Sequence, residues 1–112
     1  MIEANNYGAL LRYLKHFKEA KALLLKAIPM ARRVRGDGND TTLRMQGTYA
    51  DSLYEDPDAT SDDLREAVTM LEDTERTARR VLGSANPTTV ELNDSLQYSR
   101  AALRARDTSS SV

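Results

Sequence analysis

The segment Ala31-Arg32-Arg33-Val34-Arg35-Gly36 returns almost unchanged 47 residues later, as Ala78-Arg79-Arg80-Val81-Leu82-Gly83. Two further pairs keep the same interval: Glu19-Ala20 with Glu66-Ala67, and Thr41-Thr42-Leu43 with Thr88-Thr89-Val90. Matches at one fixed interval over more than about twenty positions indicate an internal repeat, and a period of this length is typical of stacked helical repeats. The sequence therefore predicts two copies of one structural unit.

Apolar residues recur at helical intervals along the whole chain, and no stretch alternates as a strand would. In the first segment the apolar face is predicted to consist of Tyr7, Leu10, Leu11 and Leu14, at positions i, i+3, i+4 and i+7. Five helices are predicted in all, near residues 3–14, 17–35, 40–54, 62–82 and 87–106. The fold class is therefore all-α, with two antiparallel helix hairpins and a terminal helix.

Stop and start signals divide these helices. Gly36 and Gly83 end the long helices, because glycine accepts the left-handed conformation that a helix end needs. Either Asp40 or Thr41 is expected to cap the third helix, and Asp62 the fourth. We expect one domain over residues 1–106, with repeats at about 3–36 and 39–83, a terminal helix at about 87–106, and a disordered Ser-rich tail at 107–112.

Composition excludes several classes of function. The 112 residues carry 16 Lys and Arg against 17 Asp and Glu, which disfavours a nucleic-acid-binding protein. The absence of cysteine excludes disulfides and thiolate metal sites, and favours a reducing compartment such as the cytoplasm. No apolar run is long enough to cross a membrane, so no membrane partner is expected.

No catalytic, cofactor-binding or metal-binding constellation is predicted, so we expect a protein that is not an enzyme. Asp56, Asp58, Thr60 and Asp62 have the spacing of calcium-loop ligands, but Ser61 stands where such a loop needs glycine. They are better explained as an acidic loop before a helix. The single histidine, His16, has no motif-placed nucleophile beside it and is expected to be an exposed turn residue.

The run Asn5-Asn6-Tyr7-Gly8-Ala9-Leu10-Leu11, followed by Phe17-Lys18-Glu19-Ala20, resembles a tetratricopeptide repeat. The Arg-rich ends before Gly36 and Gly83 and the Asn5-Asn6 pair are similar to the kinesin light chain type of this repeat. The sequence differs from that type at Lys15, which stands where the family has glycine.

The resemblance implies a concave groove that is lined by the first helix of each repeat and holds peptides. Tyrosines off the apolar stripes suit a peptide contact, since they give large contact area at low entropy cost. Polar residues near them complete the candidate groove, which comprises Asn5, Asn6, Arg12, Tyr13, Asp51, Tyr54, Glu55 and Tyr98.

The sequence thus predicts a scaffold that binds a protein or peptide partner, with an adaptor of the kinesin light chain type as the narrower role. The alternative is a structural self-assembly module or a fragment of a longer repeat array. Self-association would use the terminal helix, where an exposed apolar patch is expected around Leu96 and Leu103.

Overall fold

The computed structural model describes residues 2–110, with side chains described for residues 5–108. Over these residues it contains no strand and has five helices: α1 (Ile2–Tyr13), α2 (Phe17–Arg35), α3 (Asp40–Tyr54), α4 (Ser61–Leu82) and α5 (Pro87–Ser110). Helices α1 and α2 form one antiparallel hairpin and α3 and α4 a second, while α5 packs against α3 and α4. The predicted fold class is therefore confirmed.

Helix α3 lies at the centre of the molecule and contacts each of the other four helices. Its stripe of Met45, Tyr49 and Leu53 is buried, as the spacing predicts. Gly47 lets α5 come close, because a Cβ atom there would stand 2.7 Å from Cδ2 of Leu92. Because it contacts both α1 and α5, α3 supports these two helices.

The junctions that follow α2 and α4 have the same geometry. This similarity corresponds to the 47-residue interval in the sequence. Gly36 and Gly83 have φ of +93° and +94°, a conformation that favours glycine. Three residues later, the Asn39 side chain accepts a hydrogen bond from the Thr41 backbone N–H at 2.9 Å. Asn86 accepts one from Thr88 at the same distance. The second asparagine is the start signal predicted before Pro87.

Two predicted caps are corrected by the structure. Asn39, and neither Asp40 nor Thr41, caps α3, because its side-chain oxygen reaches the N–H two residues on. Thr60, and not Asp62, caps α4 through a capping box with Asp63: each side chain accepts from the other's backbone N–H, at 3.0 and 3.1 Å. Both caps lie just before the expected residue, where the chain is still extended.

The apolar face predicted for α1 is also corrected. Leu11 is buried, but Tyr7, Leu10 and Leu14 are 55%, 48% and 52% exposed. The face that packs against α2 instead includes Gly8, where a Cβ atom would stand 3.1 Å from the Leu24 side chain. Small residues are buried here because they permit the two backbones to approach closely.

The end of the chain differs from expectation in two respects. Leu96 is buried and Leu103 is half-buried, so the exposed patch predicted around them is absent, because α4 covers this face of α5. Helix α5 also continues past the predicted end at Arg106, so residues 107–110 are helical. Asp107 Oδ1 lies 3.7 Å from Nη2 of Arg65, which ties this last part of α5 to α4. Residues 111 and 112 of the predicted tail lie outside the described part of the chain.

Candidate functional site

A groove of about 190 Å³ lies between α1, α3 and α5. Each helix lines it with side chains spaced one and two turns apart, which places them on one face of that helix. The lining residues are Asn5, Asn6, Ala9 and Arg12 from α1, Arg44, Gly47, Thr48 and Asp51 from α3, and Thr88, Glu91, Leu92 and Ser95 from α5. The groove is therefore formed by the first helix of each hairpin, α1 and α3, and by the terminal helix α5. Most of its lining residues are polar.

Hydrogen bonds and an ion pair join α1 to α3 along the groove. Thr48 Oγ1 donates to Asn5 Oδ1 at 3.3 Å. Near the other end, Arg12 donates to both carboxylate oxygens of Glu55, from Nε at 2.6 Å and from Nη2 at 3.4 Å. This two-pronged contact fixes the Arg12 guanidinium at the margin of the groove.

The Asp51 carboxylate lies at the bottom of the groove and is only 9% exposed. Its Oδ2 lies 3.8 Å from Nη1 of Arg12, too long for a hydrogen bond, and its Oδ1 has no hydrogen-bond partner. Burial raises the pKa of this carboxyl group, while Arg12 and the nearby hydroxyls of Ser95 and Tyr54 act to lower it. Neither hydroxyl completes a hydrogen bond to Oδ1.

Residues 4–39, which comprise nearly all of the first hairpin, match the family model of the tetratricopeptide repeat. Residues 4–39 therefore form one tetratricopeptide repeat. The match ends at Asn39, and the second hairpin follows the first at the interval that the repeated helix ends define. No curated protein and no solved structure matches the chain significantly. Tetratricopeptide repeats generally mediate protein–protein interaction and are not enzymatic.

Four of the eight predicted site residues line the groove, namely Asn5, Asn6, Arg12 and Asp51. Tyr13 and Glu55 lie beside it in a shallower depression that also includes Arg12. Tyr54 is half-buried against the core, and Tyr98 is exposed on α5 outside the groove lining. The structure thus brings the polar residues together and leaves the tyrosines at the margins.

Five polar residues of the groove were not predicted from the sequence: Arg44, Thr48, Thr88, Glu91 and Ser95. A signal for them exists, because Arg44, Thr48 and Asp51 follow the spacing i, i+4 and i+7 on α3. The 47-residue interval carries Arg44 and Thr48 onto Glu91 and Ser95 of α5. Polar residues that recur at the 47-residue interval on two helices indicate that these helices line one surface together.

The residues with calcium-loop spacing are engaged in local contacts. Asp56 accepts from the backbone N–H of Asp58 at 2.9 Å and lies 3.5 Å from Nζ of Lys21. No group of three or more candidate metal ligands occurs within residues 2–110. His16 lies in the turn before α2, with Nδ1 3.4 Å from a Glu19 oxygen. Among the described helices, none is long and apolar enough to cross a membrane.

Proposed function

We propose that this protein binds a segment of another protein, lying in the groove between α1, α3 and α5. The observation that carries this proposal is the convergence of polar stripes from three consecutive helices on one cavity of about 190 Å³. Backbone groups of an extended segment need hydrogen-bond partners when water is removed, and amide, hydroxyl and charged side chains supply them. The general role of tetratricopeptide repeats in protein interaction supports the same proposal.

The narrower role is an adaptor of the kinesin light chain type. It is supported by the position of Asn5 and Asn6, the pair on which that resemblance partly rests, since both line the groove. A role without enzymatic activity and a location in the cytoplasm stay predictions. The first is supported by the family's interaction role, and the second by the absence of cysteine.

A selection from a display library of random 12-residue peptides tests the proposal. The wild-type chain is compared with a groove variant, Asn6→Ala/Arg44→Ala/Glu91→Ala, whose three residues are exposed and line the groove. The control, Asn93→Ala/Arg33→Ala/Glu19→Ala, removes the same residue types from exposed positions outside the groove lining. We expect the selected peptides to lose binding to the groove variant and keep it with the control. Selection of no peptide, or equal binding to both variants, would contradict the proposal.

The alternative, self-assembly, is favoured by a different observation. Tyr7 and Leu10 on α1, with Leu14 in the turn that follows it, form an exposed apolar stripe at i, i+3 and i+7. It lies on a different face of α1 from the groove-lining residues Asn5, Ala9 and Arg12. Self-association would therefore use this stripe, in place of the terminal helix that the sequence indicated, and would leave the groove accessible.

A further inference from the structure

We infer that Asp51 is the anchor for a positively charged side chain, lysine or arginine, of the segment bound in the groove. This inference rests on the proposed function and specifies the chemistry of the partner. It starts from an aspartate that is 9% exposed and has one carboxylate oxygen, Oδ1, with no hydrogen-bond partner among the described residues. A buried polar atom in this state costs free energy until a donor reaches it.

Neither of the two arginines that line the groove donates a hydrogen bond to Asp51. Arg12 donates to both oxygens of Glu55, and Arg44 has Nη1 3.9 Å from an oxygen of Asp40. Asp51 thus shares Arg12 with a competitor that binds it more closely, at 2.6 Å against 3.8 Å. Among the described side chains, no donor therefore reaches Oδ1 of Asp51.

The charges in and beside the groove are unbalanced. The groove lining itself has two carboxylates, Asp51 and Glu91, and two guanidinium groups. Beside it lie two further carboxylates, Asp40 and Glu55, and one further cation, Lys15, so that four negative groups face three positive ones. Within the described side chains, Glu91 lies in no ion pair shorter than 4 Å. A basic segment therefore complements this surface, whereas an acidic segment would be repelled.

A lysine or arginine side chain also fits the shape of the site. Asp51 keeps a small exposed edge within the groove, since its side chain is 13% exposed. The small residues Ala9 and Gly47 line the groove beside it and leave room for an aliphatic stem. A long cationic side chain buries such a stem and delivers its charged end to the carboxylate. A cation supplies both charge and N–H donors, whereas a neutral amide supplies only the donors.

The inference is tested on the peptides selected as described above. In each groove-dependent peptide every lysine is replaced in turn by acetyl-lysine and every arginine by citrulline, which removes the charge at nearly constant length. Binding is measured by fluorescence polarisation to the wild type, to Asp51→Asn and to Asp73→Asn. Asp73 is an exposed aspartate on α4, outside the groove lining, that pairs with Arg76, so its variant is matched in chemistry.

We expect one basic position whose neutralisation weakens binding to the wild type and to Asp73→Asn by about tenfold or more, the range of close charge pairs across interfaces. The same neutralisation should weaken binding to Asp51→Asn less than about twofold, since the pair is already broken. Groove-dependent peptides with no such position, or an equal loss on all three chains, would overturn this inference and leave the proposed function intact. Peptides that bind outside the groove would overturn both.

Discussion

Lys15 shows how a single residue stores strain at a helix end. Its φ is +64°, the left-handed region that side chains rarely adopt. Its N–H donates to the Arg12 carbonyl at 2.9 Å, and the N–H of His16 donates to that of Leu11 at 2.7 Å, the pattern of a Schellman motif. The tetratricopeptide repeats that residues 4–39 match usually have glycine at this position, and glycine adopts a positive φ without steric cost.

We expect Lys15→Gly to raise the free energy of unfolding by about 0.5–1 kcal/mol, because relief of left-handed strain exceeds the added flexibility of the unfolded chain. Urea denaturation measures the change. The control is Lys26→Gly, at an exposed position in the middle of α2, where glycine should destabilise by about 1 kcal/mol. A loss of stability in both variants would contradict this account of Lys15.

The carboxyl group of Asp51 gives a pH-dependent prediction. Burial raises its pKa above the ordinary value, Glu55 acts in the same direction, and Arg12 with the Ser95 and Tyr54 hydroxyls opposes them. The folded chain therefore holds this proton more tightly than the unfolded chain does. By linkage, ionisation of Asp51 lowers stability as pH rises from the ordinary pKa through the raised one.

We expect Asp51→Asn to raise the urea midpoint at pH 7, because burial disfavours ionisation of the native carboxyl group and asparagine does not ionise. Below about pH 3, where this carboxyl group is neutral in the folded and the unfolded chain, the midpoint should be unchanged. Asp73→Asn should raise it at neither pH, because that carboxylate is exposed and paired with Arg76. An equal gain at both pH values would mean that packing, and not ionisation, explains the effect. A destabilising charge kept at the bottom of a groove is typical of a functional site.

At the scale of the helices, the residues that end and begin each helix could be predicted from the sequence, because helix ends depend on local chemistry. Glycine after an Arg-rich turn ends both long helices, and a proline after Asn86 begins the last one. The predicted ends of α2 and α3 coincide with the observed ones. Caps were harder to predict, because two or three neighbouring residues can each supply the capping oxygen and only the backbone path selects one.

The burial of helix faces could not be read from one sequence alone. On α1, two adjacent stripes carry apolar residues, and periodicity does not say which one a neighbouring helix covers. Packing selected Gly8 and Leu11, because α2 approaches closely there. For the candidate site, the sequence predicted four polar residues that line the groove. It predicted the tyrosines wrongly as groove residues, since their positions depend on how α3 and α5 are arranged.

Pro29 is expected to lower the stability of α2. It lies inside this 19-residue helix, on the exposed side, where it removes a backbone donor and crowds the carbonyl of Leu25. We expect Pro29→Ala to raise the free energy of unfolding by about 1–2 kcal/mol, since alanine restores the helical hydrogen bond. The counterpart one period later, Arg76→Ala, should change stability by less than about 0.5 kcal/mol. Equal effects in urea denaturation would show that α2 bears no cost at Pro29.

At the scale of the whole molecule, the two sides of the helical stack differ in character. On α5, Leu96 belongs to the core, and the exposed apolar residues Val90 and Tyr98 are separated by two turns of helix. On α1, the exposed apolar residues form one continuous stripe. Exposed apolar stripes of this kind mark contact surfaces, whereas scattered single residues are ordinary.

The last prediction concerns self-association through the α1 stripe. We expect the wild-type mass measured by light scattering to rise with concentration, and Leu10→Asp to keep the monomer mass, because a buried unpaired charge would be costly in the contact. Leu103→Asp is the control on α5 and should associate as the wild type does. Because Leu103 is half-buried, circular dichroism is used to verify that this variant stays folded. A wild type that stays monomeric would contradict self-association. If Leu103→Asp dissociates the oligomer and Leu10→Asp does not, the contact lies on the terminal helix. Since Leu10 is not a groove residue, peptides selected on the groove should bind Leu10→Asp with unchanged affinity.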